Sequence, residues 1–372
     1  MKQIGWATPQ GTERYRQRFT GKVPAAHFQH ALGLWLSSIG IGTYLGNHDA
    51  ETDELYRAAA VRATELGCNV IDSAINYRFQ RSERAIGAAL KEITAKGFNR
   101  EEMVVATKGG FIPFDGAPPK DIRTYFEETF VKKGIASFSD VIAGCHCMTP
   151  RYLANQLDCS LQNLDLHCID IYYLHNPETQ LGKIPRDEFN QRLLAAFEAL
   201  EGAVAAGKIR MYGTATWNGY RNDPQTKDYL SLAEVVALAA AAGGKDHHFK
   251  VIQLPLNLGM TEAISLSNQE IDGKKLTILE AAQALGVTVM CSAAILQGQL
   301  THDLPSMITD TFCDLETDGQ RALQFVRSTP GVTTALVGMK QIQHVEENLT
   351  TAQIPPAPWD QYSKLFEASD SK

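Results

Sequence analysis

Three ionisable residues end apolar runs of this chain, and a tyrosine closely follows the first of them. Asp72 ends the run NVID, Lys108 ends MVVATK and His175 ends CIDIYYLH, while Tyr77 lies five positions after Asp72. A phenol, with a reference pKa of about 10, is too weak an acid for neutral pH, but an adjacent ammonium favours the phenolate and lowers that pKa. Such a set of groups suits the protonation of an oxygen on which negative charge develops.

Each of these side chains has a distinct role in this hypothesis. Tyr77 is the acid, Lys108 lowers its pKa, and Asp72 keeps Lys108 charged and in place. His175 hydrogen-bonds and orients the substrate oxygen, or shares the proton. Taken singly, the residues also fit structural roles as a helix cap, a half-buried ring or a solvated lysine. Their occurrence together at consecutive strand ends favours one shared site.

The rest of the reaction must come from another group. No strong nucleophile accompanies these residues and no metal cluster is evident, so hydride addition to a carbonyl carbon is the natural companion chemistry, and it requires a cofactor.

The segment GCHCMTP holds Cys145, His146 and Cys147. It lacks a second ligand pair at zinc-finger spacing, so we predict ordinary thiols and no metal. His146 is a rival for the histidine role, although it lies in a long connection and not at a strand end.

Apolar runs alternate with segments of helical periodicity along the chain. The predicted strands are Ser38–Tyr44, the run ending at Asp72, MVVATK, CIDIYYLH, IRMYGTAT, FKVIQLPL, VTVMCSA and TTALVG. The predicted helices cover Glu51–Leu66, Ser82–Ile93, Arg151–Leu164, Phe189–Ala206, Leu230–Ala242, Leu276–Leu285, Gln320–Arg327 and Gln343–Leu349. Eight such units predict an α/β fold of the closed (β/α)8 or TIM-barrel type, in which the carboxyl ends of the strands converge on one mouth.

We predict that residues 1–372 form a single (β/α)8 barrel domain. Residues 1–38 form an N-terminal arm or hairpin in this scheme. Residues 109–150 form a long loop insertion with a short helix near Asp121–Lys132, since a connection of this length is unusual.

Composition limits the classes of partner. The chain has 372 residues, a net charge of −7, 44% hydrophobic and 21% charged residues. No block of basic residues marks a nucleic-acid partner, and no apolar run reaches the length of a membrane span. The first twenty residues lack the apolar stretch of a secretory signal. Seven scattered cysteines suggest a reducing compartment, so we predict a cytoplasmic protein. The oligomeric state is not indicated.

From Ile39 to Leu349 the chain resembles the aldo/keto reductase family. DSAINY is similar to the family's aspartate and tyrosine motif, VVATK to its lysine strand and IDIYYLHNP to its histidine strand. The segments GKIRMYGTATWN, VIQLPLN and VGMKQIQHVEENL resemble its later cofactor segments. The resemblance implies a barrel that binds NADP(H) across its mouth and reduces an aldehyde or ketone, with the tetrad Asp72, Tyr77, Lys108 and His175.

The resemblance also implies a set of cofactor-binding residues. Gly42 and Thr43 would approach the cofactor, Gln253 would hold the nicotinamide amide, and Lys340 would pair with a 2′-phosphate. The whole implied set is Gly42, Thr43, Thr216, Gln253, Cys291, Ser292, Gly338, Lys340, His344, Glu347 and Asn348.

Three positions depart from the family pattern. Ala215 and Thr216 replace the usual serine and asparagine, Cys291 stands where an aromatic residue commonly stacks on the nicotinamide, and His344 replaces a longer arginine or glutamine. These departures leave NAD(H) open as an alternative to NADP(H).

Two other interpretations compete with this one. IGIGTYLG resembles a dinucleotide fingerprint, but Leu45 occupies the position of the third glycine, so a Rossmann enzyme is the weaker interpretation. A second alternative is a non-enzymatic or slowly turning redox-sensing subunit built on the same barrel. The substrate itself is not readable from the sequence, because Phe111, Trp217 and the 109–150 loop fit either a pocket lining or local packing.

Overall fold

The computed structural model describes residues 2–367. The strands are β1 Phe28–Ala31, β2 Leu34–Ser37, β3 Ile39–Gly42, β4 Val70–Asp72, β5 Val104–Gly109, β6 Ile169–His175, β7 Ile209–Ala215, β8 Phe249–Pro255, β9 Gln269–Ile271, β10 Lys274–Leu276, β11 Thr288–Ser292 and β12 Val332–Gly338. The α-helices are α1 Pro9–Gln17, α2 Ala50–Glu65, α3 Arg81–Ala95, α4 Ile122–Phe126, α5 Pro150–Asn163, α6 Arg186–Ala205, α7 Leu232–Gly243, α8 Glu262–Ser265, α9 Ile278–Ala284, α10 Ser306–Thr311, α11 Asp318–Ser328, α12 Ile342–Thr350, α13 Trp359–Tyr362 and α14 Lys364–Glu367.

Eight parallel strands close into a barrel in the order β3, β4, β5, β6, β7, β8, β11 and β12. The ring closes where β12 pairs with β3, with Ala335 opposite Ile39 and Gly338 opposite Gly42. Each of the eight barrel strands is followed by at least one helix. The prediction of a closed (β/α)8 barrel is therefore confirmed.

Every predicted barrel strand and every predicted helix overlaps an observed one, with differences at the ends. The first strand is shorter than predicted and covers Ile39–Gly42. The helix expected near Asp121–Lys132 is α4 followed by a π-helical turn at Glu127–Val131. The small helices α1, α8, α10, α13 and α14 and the hairpin β9–β10 were not predicted. These elements are short, so periodicity over a window of 11–18 residues does not reveal them.

The antiparallel hairpin β1–β2 lies within the segment predicted as an arm or hairpin, and it blocks the amino-terminal end of the barrel. Leu34 and Leu36 belong to the same buried cluster as the inward-facing Val70, Val104 and Ile171. Side chains thus fill the barrel interior, as in other barrels of this type. The opposite end, where the strands finish, is left for the site.

The 109–150 insertion has a small core of its own, made by Phe126, Phe130, Ala136, Cys147 and the α5 residue Tyr152. Its two ends meet again at the barrel, because the backbone N–H of Cys147 donates to the carbonyl of Gly110 over 2.8 Å. The insertion is therefore a folded flap at the carboxyl edge of β5.

Within residues 2–367, none of the helices combines the length and the apolar character needed to cross a bilayer.

Two glycines near the end of α6 allow a matched test of backbone strain. Gly207 has a φ of +69° and ends the helix, whereas Gly202 lies inside the helix without a positive φ, and an added Cβ meets no atom within 4 Å at either position. Gly207→Ala should lower the free energy of unfolding by about 1 kcal/mol, because an L side chain is strained there. Gly202→Ala should raise it by about 0.5–1 kcal/mol through helix propensity.

Urea unfolding followed by circular dichroism measures both changes. Shifts of the two midpoints in the same direction would contradict the assignment of a left-handed helix end to Gly207.

Candidate active site

Three of the four sequence-predicted catalytic residues lie on the adjacent strands β4, β5 and β6, at their carboxyl ends. Nζ of Lys108 donates to Oδ2 of Asp72 over 2.5 Å and to the carbonyl of Ser73 over 2.8 Å. It also lies 3.4 Å from Oη of Tyr77 and 4.8 Å from the centre of the Tyr77 ring. His175 packs edge-on against that ring, with the two centroids 5.7 Å apart. The fold therefore brings all four residues together.

The charges of this cluster are set by burial and by the ion pair. Burial by itself lowers the pKa of Lys108, which is fully buried, but the carboxylate of Asp72 and the phenol of Tyr77 outweigh burial and leave the pKa raised. Lys108 is thus a permanent cation inside the barrel mouth.

The expectation that the ammonium leaves Tyr77 with a lowered pKa is wrong for this structure. Burial raises the pKa of Tyr77, the charge of Lys108 opposes that rise, and the charge of Asp72 adds to it, so the net pKa lies above its ordinary value. A low-dielectric pocket disfavours the phenolate more than one cation favours it. Tyr77 is therefore the neutral, proton-bearing form throughout the physiological range.

The two candidate histidines have different environments. His146 is fully buried, its Nε2 donates to the carbonyl of His175 over 2.8 Å, and its Nδ1 accepts from the side-chain amide of Gln180 over 2.9 Å. Both ring nitrogens of His146 are thus used in structure. His175 lies against Tyr77, and its Nδ1 has no partner among the described residues. Burial and the nearby Lys108 lower the pKa of His175 well below its ordinary value, so its ring is neutral.

Gly110 lies at the start of the flap, where the backbone passes close to His146 and His175. Its φ is +136°, and a Cβ at that position would lie 2.7 Å from Nε2 of His146 and 3.2 Å from the carbonyl oxygen of His175. Phe111 follows and packs edge-on against His175, with ring centroids 5.0 Å apart. The flap therefore supplies one wall of the site.

Gln253 and Thr216, two residues predicted to contact the nicotinamide, already form hydrogen bonds within the protein through some of their polar groups. Nε2 of Gln253 donates to Oδ1 of Asp72 over 2.9 Å, so this amide braces the ion pair. The backbone of Thr216 is bonded to the carbonyl of Gln253 over 2.8 Å, while its buried Oγ1 has no partner among the described residues. The orphan hydroxyl of Thr216 and the remaining amide oxygen of Gln253 match the chemistry of a carboxamide.

The structure places Cys291 away from the mouth. Cys291 belongs to the core between the strands and the helices, whereas the preceding Met290 belongs to the barrel interior. Because side chains alternate along a strand, Ser292 and not Cys291 shares the inward face at the end of β11. The expectation that Cys291 occupies a nicotinamide-stacking position is wrong.

The remaining predicted cofactor residues lie where β3 and β12 end side by side. Gly42 faces Gly338, and nothing lies within 4 Å of a Cβ built on Gly338, so the two backbones leave open space. Nζ of Lys340 comes within 3.3 Å of a Cβ built on Gly46, which places the ammonium beside the loop after β3. Thr43 is instead buried, and its hydroxyl lies 2.9 Å from Oγ of Ser73 and 3.2 Å from the carbonyl of Asp72.

Helix α12 contributes one exposed and two occupied side chains. His344 is exposed to solvent. Glu347 accepts a hydrogen bond from Oγ1 of Thr317 over 2.6 Å, and the amide of Asn348 contacts the sulfur of Met339 at 3.7 Å. Glu347 and Asn348 would have to exchange these partners to bind a nucleotide.

Sequence reasoning missed Arg78, the residue after Tyr77. Arg78 is buried, its Nε donates to the carbonyl of Asn47 over 2.7 Å, and it pairs with Asp53 of α2. Arg78, Phe79 and Gln80 all have positive φ, at 48°, 58° and 70°. Such a run normally calls for glycine, and none occurs in YRFQ, so the sequence held no signal for it. Through these bonds Arg78 joins the loop that carries Tyr77 to the loop after β3.

Glu178 was also missed, although it follows His175 by three residues. Its carboxylate is buried and accepts hydrogen bonds from three successive backbone N–H groups of the loop after β7, starting at Trp217. Glutamates are common on surfaces, so the type alone does not indicate a buried site.

Among the described residues, no group of three or more histidine, cysteine or acidic side chains is arranged to hold a metal ion.

Residues 38–226, just over half of the chain, match the family model "Aldo/keto reductase family". An aldo-keto reductase of Schizosaccharomyces pombe named with NADP(+) is 25% identical over 71% of this chain, and the match spans only 59% of that protein's length. A putative voltage-gated potassium channel subunit beta of the same yeast is 24% identical over 86% of both chains.

Among solved structures, an aldo/keto reductase of Klebsiella pneumoniae in complex with NADP and acetate has the same fold. It superposes with a TM-score of 0.61 at 20% identity and covers 91% of this chain and 95% of its own. The family match over half the sequence, the closed barrel and the position of the matching motifs at its mouth agree, and the chain belongs to the aldo/keto reductase family.

Proposed function

We propose that this protein is an NADP(H)-dependent oxidoreductase that reduces an aldehyde or ketone to an alcohol, with Tyr77 as the general acid. The observation that carries the proposal is the buried Asp72–Lys108 pair, whose ammonium lies 3.4 Å from the Tyr77 phenol. The S. pombe relative named with NADP(+) and the Klebsiella structure that holds NADP support the choice of cofactor. NAD(H) remains the alternative.

The residues present fit a nicotinamide nucleotide. Thr216 offers an unpartnered buried hydroxyl for the carboxamide. Gly42 and Gly338 leave backbone space where β3 and β12 end, and Lys340 supplies a cation for a phosphate. When bound, the reduced cofactor supplies hydride to the carbonyl carbon. The other cofactor-binding assignments, Gln253, Ser292, His344, Glu347 and Asn348, belong to the same proposal.

The protein's own side chains manage the proton. Tyr77 carries it at neutral pH because its pKa is raised, and it donates that proton to the carbonyl oxygen as negative charge develops there. Lys108 stabilises the phenolate left behind, and Asp72 holds the ammonium in place. The neutral His175 ring donates to or orients the same oxygen, and Phe111 shields it from water.

The domain organisation and the substrate class are part of the same proposal. We treat residues 1–372 as one barrel domain with the β1–β2 hairpin as its plug and the 109–150 flap as its lid. A small carbonyl compound is the partner. The absence of a nucleic-acid partner and a cytoplasmic location stay predictions.

A redox-sensing subunit is the second candidate. The match over 86% of both chains to a putative potassium channel subunit beta supports it. The two functions differ in turnover. An enzyme should convert many equivalents of an aromatic aldehyde with NADPH, whereas a sensor should oxidise one equivalent of bound cofactor and then cycle negligibly. Absorbance at the NADPH band under single- and multiple-turnover conditions separates the two, and we expect sustained turnover.

Tyr77→Phe should lower turnover by about 100-fold or more, since it removes a general acid, while NADPH binding survives. Tyr212→Phe is the matched control, because that phenol donates to Glu201 near the other end of β7, away from the mouth. Steady-state kinetics and a fluorescence titration of NADPH measure both effects. Near-normal turnover of Tyr77→Phe would remove the phenol from the mechanism.

Lys340→Met should weaken NADPH binding by about tenfold and leave NADH binding nearly unchanged, because a charge-assisted bond to the 2′-phosphate is lost. Lys340→Arg keeps the charge and should bind NADPH within about threefold of the parent protein. Fluorescence titrations with both nucleotides give the dissociation constants. Equal losses for NADPH and NADH would show that Lys340 does not read the phosphate.

A further inference from the structure

Glu178 links the loop after β6 to the loop after β7. It lies in the 3-10 turn Pro177–Thr179, and its side chain crosses to the neighbouring loop. One carboxylate oxygen, Oε1, accepts from the backbone N–H of Trp217 at 2.8 Å, of Asn218 at 3.2 Å and of Gly219 at 3.4 Å. Three successive amides that point at one oxygen form an anion-binding concavity. Here the anion is part of the protein.

Within the part of the chain that the structure describes, this carboxylate has no ion-pair partner. Glu178 is only 4% exposed, forms no ion pair with any residue in the described range, and its second oxygen, Oε2, is buried without a partner. Burial raises the pKa of Glu178 to about 7, although the three N–H groups act in the opposite direction. The charged and neutral forms therefore coexist near neutrality.

Two ionisable groups near Glu178, Tyr220 and His175, stay neutral in that range. Tyr220, on the loop that it grips, has a pKa far above its ordinary value through burial, donates to or accepts from Thr214, and stays neutral. His175, on its own side, has a pKa well below its ordinary value and is neutral too. Arg221 donates hydrogen bonds to the carbonyl of Trp217 and to Glu262.

The loop that Glu178 binds begins at the candidate active site. Thr216, with its unpartnered hydroxyl, directly precedes the three amides, and its own N–H is bonded to Gln253 of β8 over 2.8 Å. Trp217 is 39% exposed at the mouth. A shift of this loop would move the Thr216 hydroxyl and the Trp217 ring together.

We propose that the ionised carboxylate of Glu178 is a positioning group that holds the Thr216–Gly219 loop in place and thereby sets the affinity for the nicotinamide end of the cofactor. The inference rests on the proposed function for its cofactor, but the loop coupling itself does not. A carboxylate accepts all three amides strongly. The neutral acid accepts them more weakly, so protonation loosens the loop.

A role in fold stability alone does not account for the charge. Because the folded-state pKa lies above the ordinary value for glutamate, the native state binds more protons than the unfolded chain between these two values. Ionisation of Glu178 therefore lowers stability as pH rises towards 7. The charged form is kept at a cost to the fold, which is the pattern expected of a group that serves a site.

The loop coupling is tested on the protein without cofactor. The emission of Trp217, obtained as the difference between the parent protein and Trp217→Phe, should change between pH 5.5 and 8.5 with a midpoint near 7. Glu178→Gln should abolish that transition and hold the emission at its low-pH level. Glu83→Gln is the matched control, since Glu83 is also fully buried with a pKa raised by burial but bonds to Thr107 and Asn163.

The affinity is tested with NADPH and NADH. At pH 8, Glu178→Gln should weaken binding of both nucleotides by about tenfold, and at pH 5.5 it should bind like the parent protein. The ratio of parent to variant at each pH cancels the titration of the nucleotide's own phosphate. The rate at saturating cofactor should fall by less than about threefold, which separates positioning from chemistry.

A transition that persists in Glu178→Gln, or one that disappears equally in Glu83→Gln, would overturn the inference. So would an equal loss of affinity at both pH values. If aldehyde turnover is absent while the Trp217 transition depends on Glu178, the proposed enzyme fails and the loop coupling stands.

Discussion

The ion pair between Lys108 and Asp72 is the interaction on which the site depends. Neighbouring parallel strands bring the two side chains together, and both are buried, so neither charge is solvated by water. Removing one partner of such a pair costs about 3–5 kcal/mol, because the other charge is left uncompensated. The carbonyl of Ser73 and the amide of Gln253 satisfy the remaining donor and acceptor positions. The pair is thus held rigidly before any substrate arrives.

This rigidity determines what the neighbouring tyrosine can do. Burial of Tyr77 keeps its proton on the oxygen. In the proposed mechanism, the adjacent ammonium stabilises the phenolate once the proton has left. A lowered resting pKa is therefore not required for a general acid. What matters is that the charge developing in the reaction meets a fixed cation in a low-dielectric pocket.

Loops around the mouth are secured by buried polar side chains of their own. Arg78 fixes the strained segment after Tyr77 by bonding to the loop after β3. Glu178 binds the loop after β7, and His146 ties the flap to the backbone of His175. These contacts join loops that follow different strands. The mouth therefore behaves as one connected surface, although its parts are distant in sequence.

The departures from the family pattern have different consequences in the structure. Thr216 has a buried hydroxyl with no partner among the described residues, and in the proposed function it replaces part of the usual pair of contacts. Cys291 is buried behind the barrel wall and cannot replace a stacking ring. Position in the motif therefore did not determine which way the side chain points.

The sequence alone predicted the barrel, the order of its strands and the convergence of Asp72, Tyr77, Lys108 and His175 on one mouth, because periodicity and strand ends are local properties of the chain. It also indicated the family. Only the tertiary structure decided the direction of the Tyr77 pKa, the separate roles of the two histidines, and the contacts of Arg78 and Glu178. Each of these depends on burial and on partners supplied by other loops. The residues next to a group in the sequence indicate neither its burial nor those partners.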